Sequence, residues 1–216
     1  MKNCASKVKL PKGAKKEMLV WNELEIKRFL EFAKENRYYI AFELALLTGM
    51  RQGEILGLRW KDINLDKGYL VINQTLSHDG KTFLVCGKTK SSRRNIQHPN
   101  STIDGLKRHK IIVNKEKEND IYTNNDLVVC TQVGTPLNPA NLRRSFNNLI
   151  KTAQVPQIRF HDLRHTHATL LLSKGVNIKV ISERLGHSNI KVTLDTYSHV
   201  LPTMQEDAIK KLEGII

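Results

Sequence analysis

Apolar residues first recur at helical spacing at Leu24, Ile26, Phe29, Leu30 and Ala33, behind Asn22, a good N-cap residue with Glu25 three positions on. The pattern predicts a first helix ending near Asn36. A second, more uniformly apolar helix is predicted from Tyr38 to Leu47, running into Gly49 as its C-terminal cap, and a short one follows from Gly53 to Leu58. The period then shortens to that of a strand. Tyr69 to Leu76 is β-prone, Asp79-Gly80 is a hairpin signal, Thr82 to Val85 makes the return strand, and Arg94 to His98 a third. Lys88 to Ser92 is then a basic turn between the second and third strands of a small antiparallel sheet. After Pro99 the helical period returns over Ile103–Lys115, Pro139–Ala153, Leu163–Ser173, Ile178–Leu185 and Ile190–Tyr197, followed by an apolar stripe at Met204, Ala208, Leu212 and Ile215. The fold class expected is α+β and mainly helical, with a small three-stranded antiparallel sheet and no internal repeats.

Charge adds a partner class to this outline. The 216 residues hold 35 Lys and Arg against 21 Asp and Glu, a formal charge of +14, with 40% hydrophobic residues. That hydrophobic content argues against disorder, and a charge so far from zero calls for a polyanionic partner, nucleic acid or an anionic membrane surface. The basic residues are also grouped. Residues 1–16 carry six lysines and no acid, broken by Pro11 and Gly13, which reads as a basic arm. Residues 80–103 hold Lys81, Lys88, Lys90, Arg93 and Arg94 without an acid, and residues 127–161 hold Arg143, Arg144, Lys151 and Arg159 without one. Two such windows on one face attract phosphates through counterion release. On opposite faces they are merely solvated, and both placements stay open at this point.

Cys4, Cys86 and Cys130 form no C-x-x-C pair, so neither a disulfide framework nor a cysteine-rich zinc module is indicated, and a reducing, cytoplasmic setting is expected. No apolar run approaches the ~20 residues of a membrane span.

Cutting a phosphodiester without a metal requires cations around the phosphate oxygens, a nucleophile and an acid for the leaving oxygen. The chain contains candidates for each. Arg51 follows a helix cap, with Glu54 one turn on to brace it; His161 and Arg164 sit three apart at a helix start in His161-Asp162-Leu163-Arg164-His165-Thr166-His167; His187 lies on the connection after Gly186; Tyr197 comes ten residues later. Taken singly, each has a bland reading: a surface arginine with an intrahelical partner, a packing tyrosine. Three histidines in seven residues also raise a metal, but an H-E-x-x-H arrangement is missing and a metal-free role ranks above it.

Taken in order, Arg51 with Glu54, a lysine in a β-turn, the H-D-L-R-H-T box, L-G-H-S and then a tyrosine make the chain resemble the catalytic domain of the tyrosine recombinase (phage integrase) family over about Trp21 to Val200. The F-H-D-L-R-H-T-H-A-T and L-D-T-Y-S-H-V wording is most similar to integrases of phages and integrative conjugative elements of low-GC Gram-positive bacteria. The resemblance implies a set of roles. Tyr197 attacks the phosphate to give a 3′-phosphotyrosyl link, Arg51 and Arg164 hold its non-bridging oxygens, and Lys88, preferred over Lys90, protonates the leaving 5′-oxygen. His161 assists as acid or base, His187 hydrogen-bonds the phosphate, and Glu54 supports, while His165, His167 and His199 are expected to pack or hydrogen-bond. Lys90, Arg93, Arg94, Arg143, Arg144 and Arg159 are the expected DNA contacts. No metal, cofactor or ATP is implied.

The partners implied are double-stranded DNA attachment sites and a homotetramer on synapsed DNA, with a monomer when free and accessory excision or bending proteins as further candidates. Residues 1–18 are expected to be a linker or arm and 19–216 the catalytic domain, the family's N-terminal core-binding domain being absent. Two rivals stay open: DNA relaxation in the manner of a type IB topoisomerase, and a non-catalytic helix-turn-helix regulator built on residues 177–197.

Overall fold

The computed structural model describes residues 18–85 and 93–197 together with Ile209. Helix α1 (Glu23–Ala33) starts in the capping box foreseen at Asn22 and Glu25, its side chains and backbone amides exchanging hydrogen bonds of 2.7–2.9 Å. Helix α2 (Tyr39–Thr48) is apolar on every side and buried along most of its length, as a helix at the centre of a domain must be. Its one acid, Glu43, is 3% exposed, and burial pushes its carboxyl up to about 7 despite the nearby charge of Arg108. Gly49 closes α2 at φ +67. A Cβ there would come within 2.7 Å of His167 and 2.8 Å of Leu185, so both the left-handed turn and the close approach require glycine.

Helix α3 (Gln52–Gly57) leads through a single 3-10 turn at Trp60–Asp62 into β1 (Ile63–Asn64), β2 (Tyr69–Val71), β3 (Gln74–Leu76), β4 (Phe83–Val85) and β5 (Asn95–Gln97). The three-stranded antiparallel sheet has the order β1-β2-β5, with Leu70 opposite both Ile63 and Ile96. β3 and β4 form a separate hairpin, Thr75 opposite Leu84. The single strand expected over Tyr69 to Leu76 is therefore two, and the expected return strand pairs only with the second of them. The break falls at Asn73, whose side chain donates to Asp62 at 2.7 Å and accepts from Arg93 at 2.8 Å. Strand β1, too short to show a period, completes the sheet instead.

Among the described residues five helices follow: α4 (Asn100–Glu116), α5 (Pro139–Ala153), α6 (Asp162–Ser173), α7 (Ile178–Leu185) and α8 (Ile190–Tyr197). The main core gathers Trp21, Phe29, Phe42, Phe146 and Phe160, ring centroids 4.8–6.3 Å apart, and packs α1 and α5 around α2. Trp21 also fixes the entry of the chain, its indole donating to the Pro156 carbonyl at 2.8 Å. A smaller apolar cluster of Ala168, Leu172, Ile181, Leu185 and Tyr197 joins α6, α7 and α8. Among the described residues no helix is long and apolar enough to cross a membrane. The expected arm at residues 1–16, the basic turn at Lys88 to Ser92, His199 and the terminal stripe at Met204, Ala208, Leu212 and Ile215 lie outside the described residues.

Candidate functional site

The site is organised by the C-terminal end of α7. Gly186 caps that helix at φ 68, which exposes the last carbonyls of the helix to neighbouring elements. Three consecutive carbonyls there accept from three arginines: Arg184 from Arg94 Nε at 2.8 Å, Leu185 from Arg164 Nη2 at 2.6 Å, and Gly186 from Arg51 Nη2 at 3.4 Å. Residues far apart in sequence thus converge on one helix end, where the macrodipole favours cations.

Arg164 lies in the first turn of α6 and is 3% exposed. Its second nitrogen, Nη1, reaches the Gly49 carbonyl at 2.7 Å, so the guanidinium bridges the ends of α2 and α7. Burial, then the charge of Arg51, pushes it down to about 9, partly offset by Glu54, which leaves it charged at neutral pH. Arg51 is the N-cap residue of α3 and its side chain is 44% exposed. Glu54 holds it twice, Oε2 accepting from the Arg51 backbone amide at 2.8 Å and Oε1 from Nη1 at 2.9 Å. One arginine is sequestered and one faces outward.

Tyr197 ends α8 and is 1% exposed. Its phenol is hydrogen-bonded to His165 Nδ1 at 2.8 Å, and burial pushes it up to about 12 against the opposing charge of Arg164. His165 is held down at about 4 by burial and then by the charges of His161 and Arg164, with Asp162 acting the other way, so at neutral pH it is uncharged. His161 precedes α6 and stacks edge-on to His165, centroids 5.0 Å apart; burial and then Arg164 lower it too. His187 follows the Gly186 cap and is anchored to Thr193 Oγ1 at 2.8 Å, held down at about 4 by burial and then by Arg164, Arg51 and Arg94.

Arg51, Arg164, His161, His187 and Tyr197 are thus gathered around α6 and the α7–α8 connection, with Glu54 beneath Arg51. Lys88 and Lys90 lie outside the described residues. Among the expected DNA contacts, Arg93 and Arg144 are exposed, and Arg143, half-buried, donates to Gln52 at 3.1 Å beside Arg51. Arg159 is exposed but its guanidinium is paired through two nitrogens with Asp162, at 3.0 and 2.8 Å.

Arg94 does not belong in that group. It is 7% exposed, and Nη1 and Nη2 donate to the two oxygens of Glu54 at 2.9 and 2.8 Å. An acid-free stretch of sequence says nothing about an acid forty residues away, so the window at 80–103 read as surface charge throughout. His165, expected only to pack or hydrogen-bond, is the residue that meets the Tyr197 phenol. Its position next to Arg164 at a helix start is the available signal, although the two side chains reach different helices. Arg184 was overlooked too: it bridges His167 Nε2 at 3.2 Å and the Leu47 carbonyl at 3.0 Å. Among the described residues, no three His, Cys, Asp or Glu side chains are grouped so as to hold a metal ion.

The profile described as the Phage integrase family matches residues 20–204. A protein of Caldanaerobacter subterraneus subsp. tengcongensis named "Tyrosine recombinase XerC-like" is 36% identical over 92% of the chain and 55% of its own length. The ICEBs1 integrase of Bacillus subtilis is 32% identical over 100% of the chain and 60% of its own. The chain therefore spans little more than half the length of these relatives. Among solved structures, the Tn1549 transposon integrase in complex with transposon right end DNA superposes with a TM-score of 0.78 at 23% identity, covering 94% of the chain and 69% of the solved one. At that identity the likeness establishes the fold.

Proposed function

Since the chain belongs to the phage integrase family, we propose that it is the catalytic portion of a site-specific recombinase, cutting and rejoining DNA strands through Tyr197. The observation that carries this reading is the convergence of Arg51 and Arg164 on adjacent carbonyls of one helix end, with the Tyr197 phenol tethered to the residue after Arg164. The tyrosine oxygen attacks the scissile phosphorus as the bond from phosphorus to the 5′-oxygen breaks. The phenolic proton passes to the histidine pair His165 and His161, and the departing oxygen takes one from Lys88. The two guanidiniums stabilise the charge gathering on the non-bridging oxygens. Attack by a 5′-hydroxyl on the phosphotyrosyl link reverses the sequence, conserving the bond energy in the covalent intermediate.

In the resting arrangement the phenol is buried and disfavoured as a phenolate, so the attacking form arises with the phosphate and its cations in place. The partners proposed are duplex attachment sites and, on synapsed DNA, three further copies of the chain; when free it is a monomer, and its setting is the cytoplasm. Arg93, Arg143, Arg144 and the basic turn with Lys90 track the DNA backbone, with residues 1–18 as an arm to the catalytic domain at 19–216. The relatives' names and the profile match favour recombination over simple relaxation and over a non-catalytic regulator.

The test uses nicked duplexes randomised around the nick, from which detergent-resistant protein–DNA adducts are captured and sequenced. Wild type is expected to enrich a defined site and Tyr197→Phe to yield no adduct at unchanged fold. Adducts that persist in Tyr197→Phe, or a wild type that yields none, defeat the reading.

A further inference from the structure

Glu54 serves two guanidiniums at once. Arg51 takes one oxygen through Nη1 at 2.9 Å, and Arg94 takes both, at 2.9 and 2.8 Å. The two pairs differ in their surroundings. In the Arg94 pair the side chains are 6% and 7% exposed; in the Arg51 pair the arginine is 44% exposed. A two-pronged, dry pair is the stronger one, because water screens the outer contact and the fork geometry favours the inner.

The charge balance of the site follows from this. With Arg51 alone, Glu54 would form a closed pair of zero net charge, and an arriving phosphate would have to compete with a carboxylate for the guanidinium. Arg94 supplies a second cation, so that Arg51 keeps an uncompensated charge beside that of Arg164. The carboxyl reflects the same balance: burial alone would raise it, yet the Arg94 hydrogen bonds and charge, and then Arg51, hold it down at about 2. Arg94 has a second attachment as well. Its Nε donates to the Arg184 carbonyl, the residue before the two carbonyls that seat Arg164 and Arg51. One buried side chain therefore ties the leading end of β5 to the base of Arg51 and to the helix end that carries both phosphate-facing arginines.

We propose that Arg94 is a positioning residue of the phosphate site, neutralising Glu54 so that Arg51 is presented as a free cation and fixing the end of α7 in register with it. Arg94 does not touch DNA. The inference rests on the strand-cleavage reading for its consequence, and on the ion pair itself for its physical content, so the two are tested by separate readouts.

On a duplex selected by the wild type, Arg94→Gln is expected to slow single-turnover adduct formation about 100-fold, the loss typical of a disabled oxyanion donor. Duplex affinity is expected to fall by no more than about tenfold, the share of the one phosphate contact weakened at Arg51, and to recover with its salt dependence in a double variant that also carries Glu54→Gln. Arg94→Gln with Glu54→Gln removes the stranded carboxylate too, and is expected to regain at least about tenfold of the lost rate, as expected when both halves of a buried pair go together. Titration with inorganic phosphate, followed at the Arg51 guanidinium by NMR, reports on the ion pair without cleavage: affinity is expected to fall about tenfold in Arg94→Gln and to recover in the double variant.

If this phosphate pattern appears while wild type forms no adduct, the strand-cleavage reading fails and the role of Arg94 stands. Single-variant rates and phosphate affinity within about threefold of wild type overturn the proposal, as does a double variant no better than the single. A salt slope that stays shallower by roughly one in the double variant, the mark of a phosphate contact made by Arg94 itself, also overturns it. Should Arg94→Gln fail to fold, the comparison moves to Glu54→Gln with and without Arg94→Gln. The proposal requires the double variant to fall no more than about tenfold below Glu54→Gln, the loss left for the contact with the end of α7, and a larger loss would mean that Arg94 acts on the phosphate itself.

Discussion

His167 makes the fold sensitive to mild acid. Its ring is 5% exposed, with Nδ1 donating to the Leu46 carbonyl at 2.7 Å and Nε2 accepting from Arg184 Nε at 3.2 Å. Those two partners fix one neutral tautomer, and a second ring proton would point directly at a guanidinium. Burial first, then the charge of Arg184, hold the imidazole down at about 4 against an ordinary 6.5, with the Leu46 carbonyl opposing them and Arg164 adding a smaller push downward. Between those values the unfolded chain binds a proton that the folded one refuses. Stability is therefore intact above about pH 6.5 and is lost as the pH falls toward 4, at up to about 1.4 kcal/mol per pH unit and about 3 kcal/mol in all.

Other groups titrate nearby, so the measurement is a difference. His165 and His187 are also held at about 4, while Glu43, raised to about 7, contributes with the opposite sign. Urea unfolding from pH 7 to pH 4.5 is compared for wild type and His167→Gln, whose amide can donate to Leu46 and accept from Arg184 without titrating. Wild type is expected to lose about 2 kcal/mol more than the variant over that range. Parallel curves would show that His167 is protonated in the folded state, and the reasoning from its two hydrogen bonds would be wrong.

Three further outcomes are expected. Arg164→Lys cannot span the Gly49 and Leu185 carbonyls with one ammonium; adduct formation should slow ~100- to 1000-fold with duplex affinity retained, and a rate within ~tenfold of wild type would contradict the bridging role. Gly49→Ala meets both the positive φ and the His167 and Leu185 side chains, so urea unfolding should register a loss of about 2–3 kcal/mol, whereas a loss below ~0.5 kcal/mol would mean the turn relaxes freely. Glu43→Gln keeps the shape of a neutral acid, so its stability relative to wild type should improve as the pH rises from 5 to 8, by about 3 kcal/mol at most; a pH-independent difference would refute the raised Glu43 carboxyl.

The helices were legible because their signals are local. The capping box at Asn22, the apolar run ended by Gly49, and the Pro139 start of α5 each announce a boundary within a few residues. The sheet was less so, since a strand of two residues such as β1 has no period, and the break at Asn73 comes from side chains on two other segments. The site divides the same way. Arg51, Arg164 and Tyr197 were found by their neighbours in sequence, but the partners that set their charge states were not. Arg94 pairs across forty residues and His165 meets Tyr197 across thirty-two. An expectation drawn from local charge placed Arg94 on the surface because the surface is where an unpaired arginine belongs, and only the tertiary pairing with Glu54 reverses it.

The carbonyls at the end of α7 carry one more implication. With the Gly49 carbonyl at the end of α2, they hold Arg164 in a dehydrated state before any phosphate is present, peptide oxygens standing in for the water that a free guanidinium would keep. An incoming phosphodiester then exchanges places with neutral dipoles instead of stripping a hydration shell, and little solvent has to rearrange at the moment of attack. The cost of that dehydration falls on folding. Because the seats are main-chain atoms, they are indifferent to which side chains occupy Leu185 and its neighbours, provided that the glycine turn at 186 survives. Substitutions that stabilise the end of α7 by closing it on itself would therefore be expected to make a sturdier protein and a slower one.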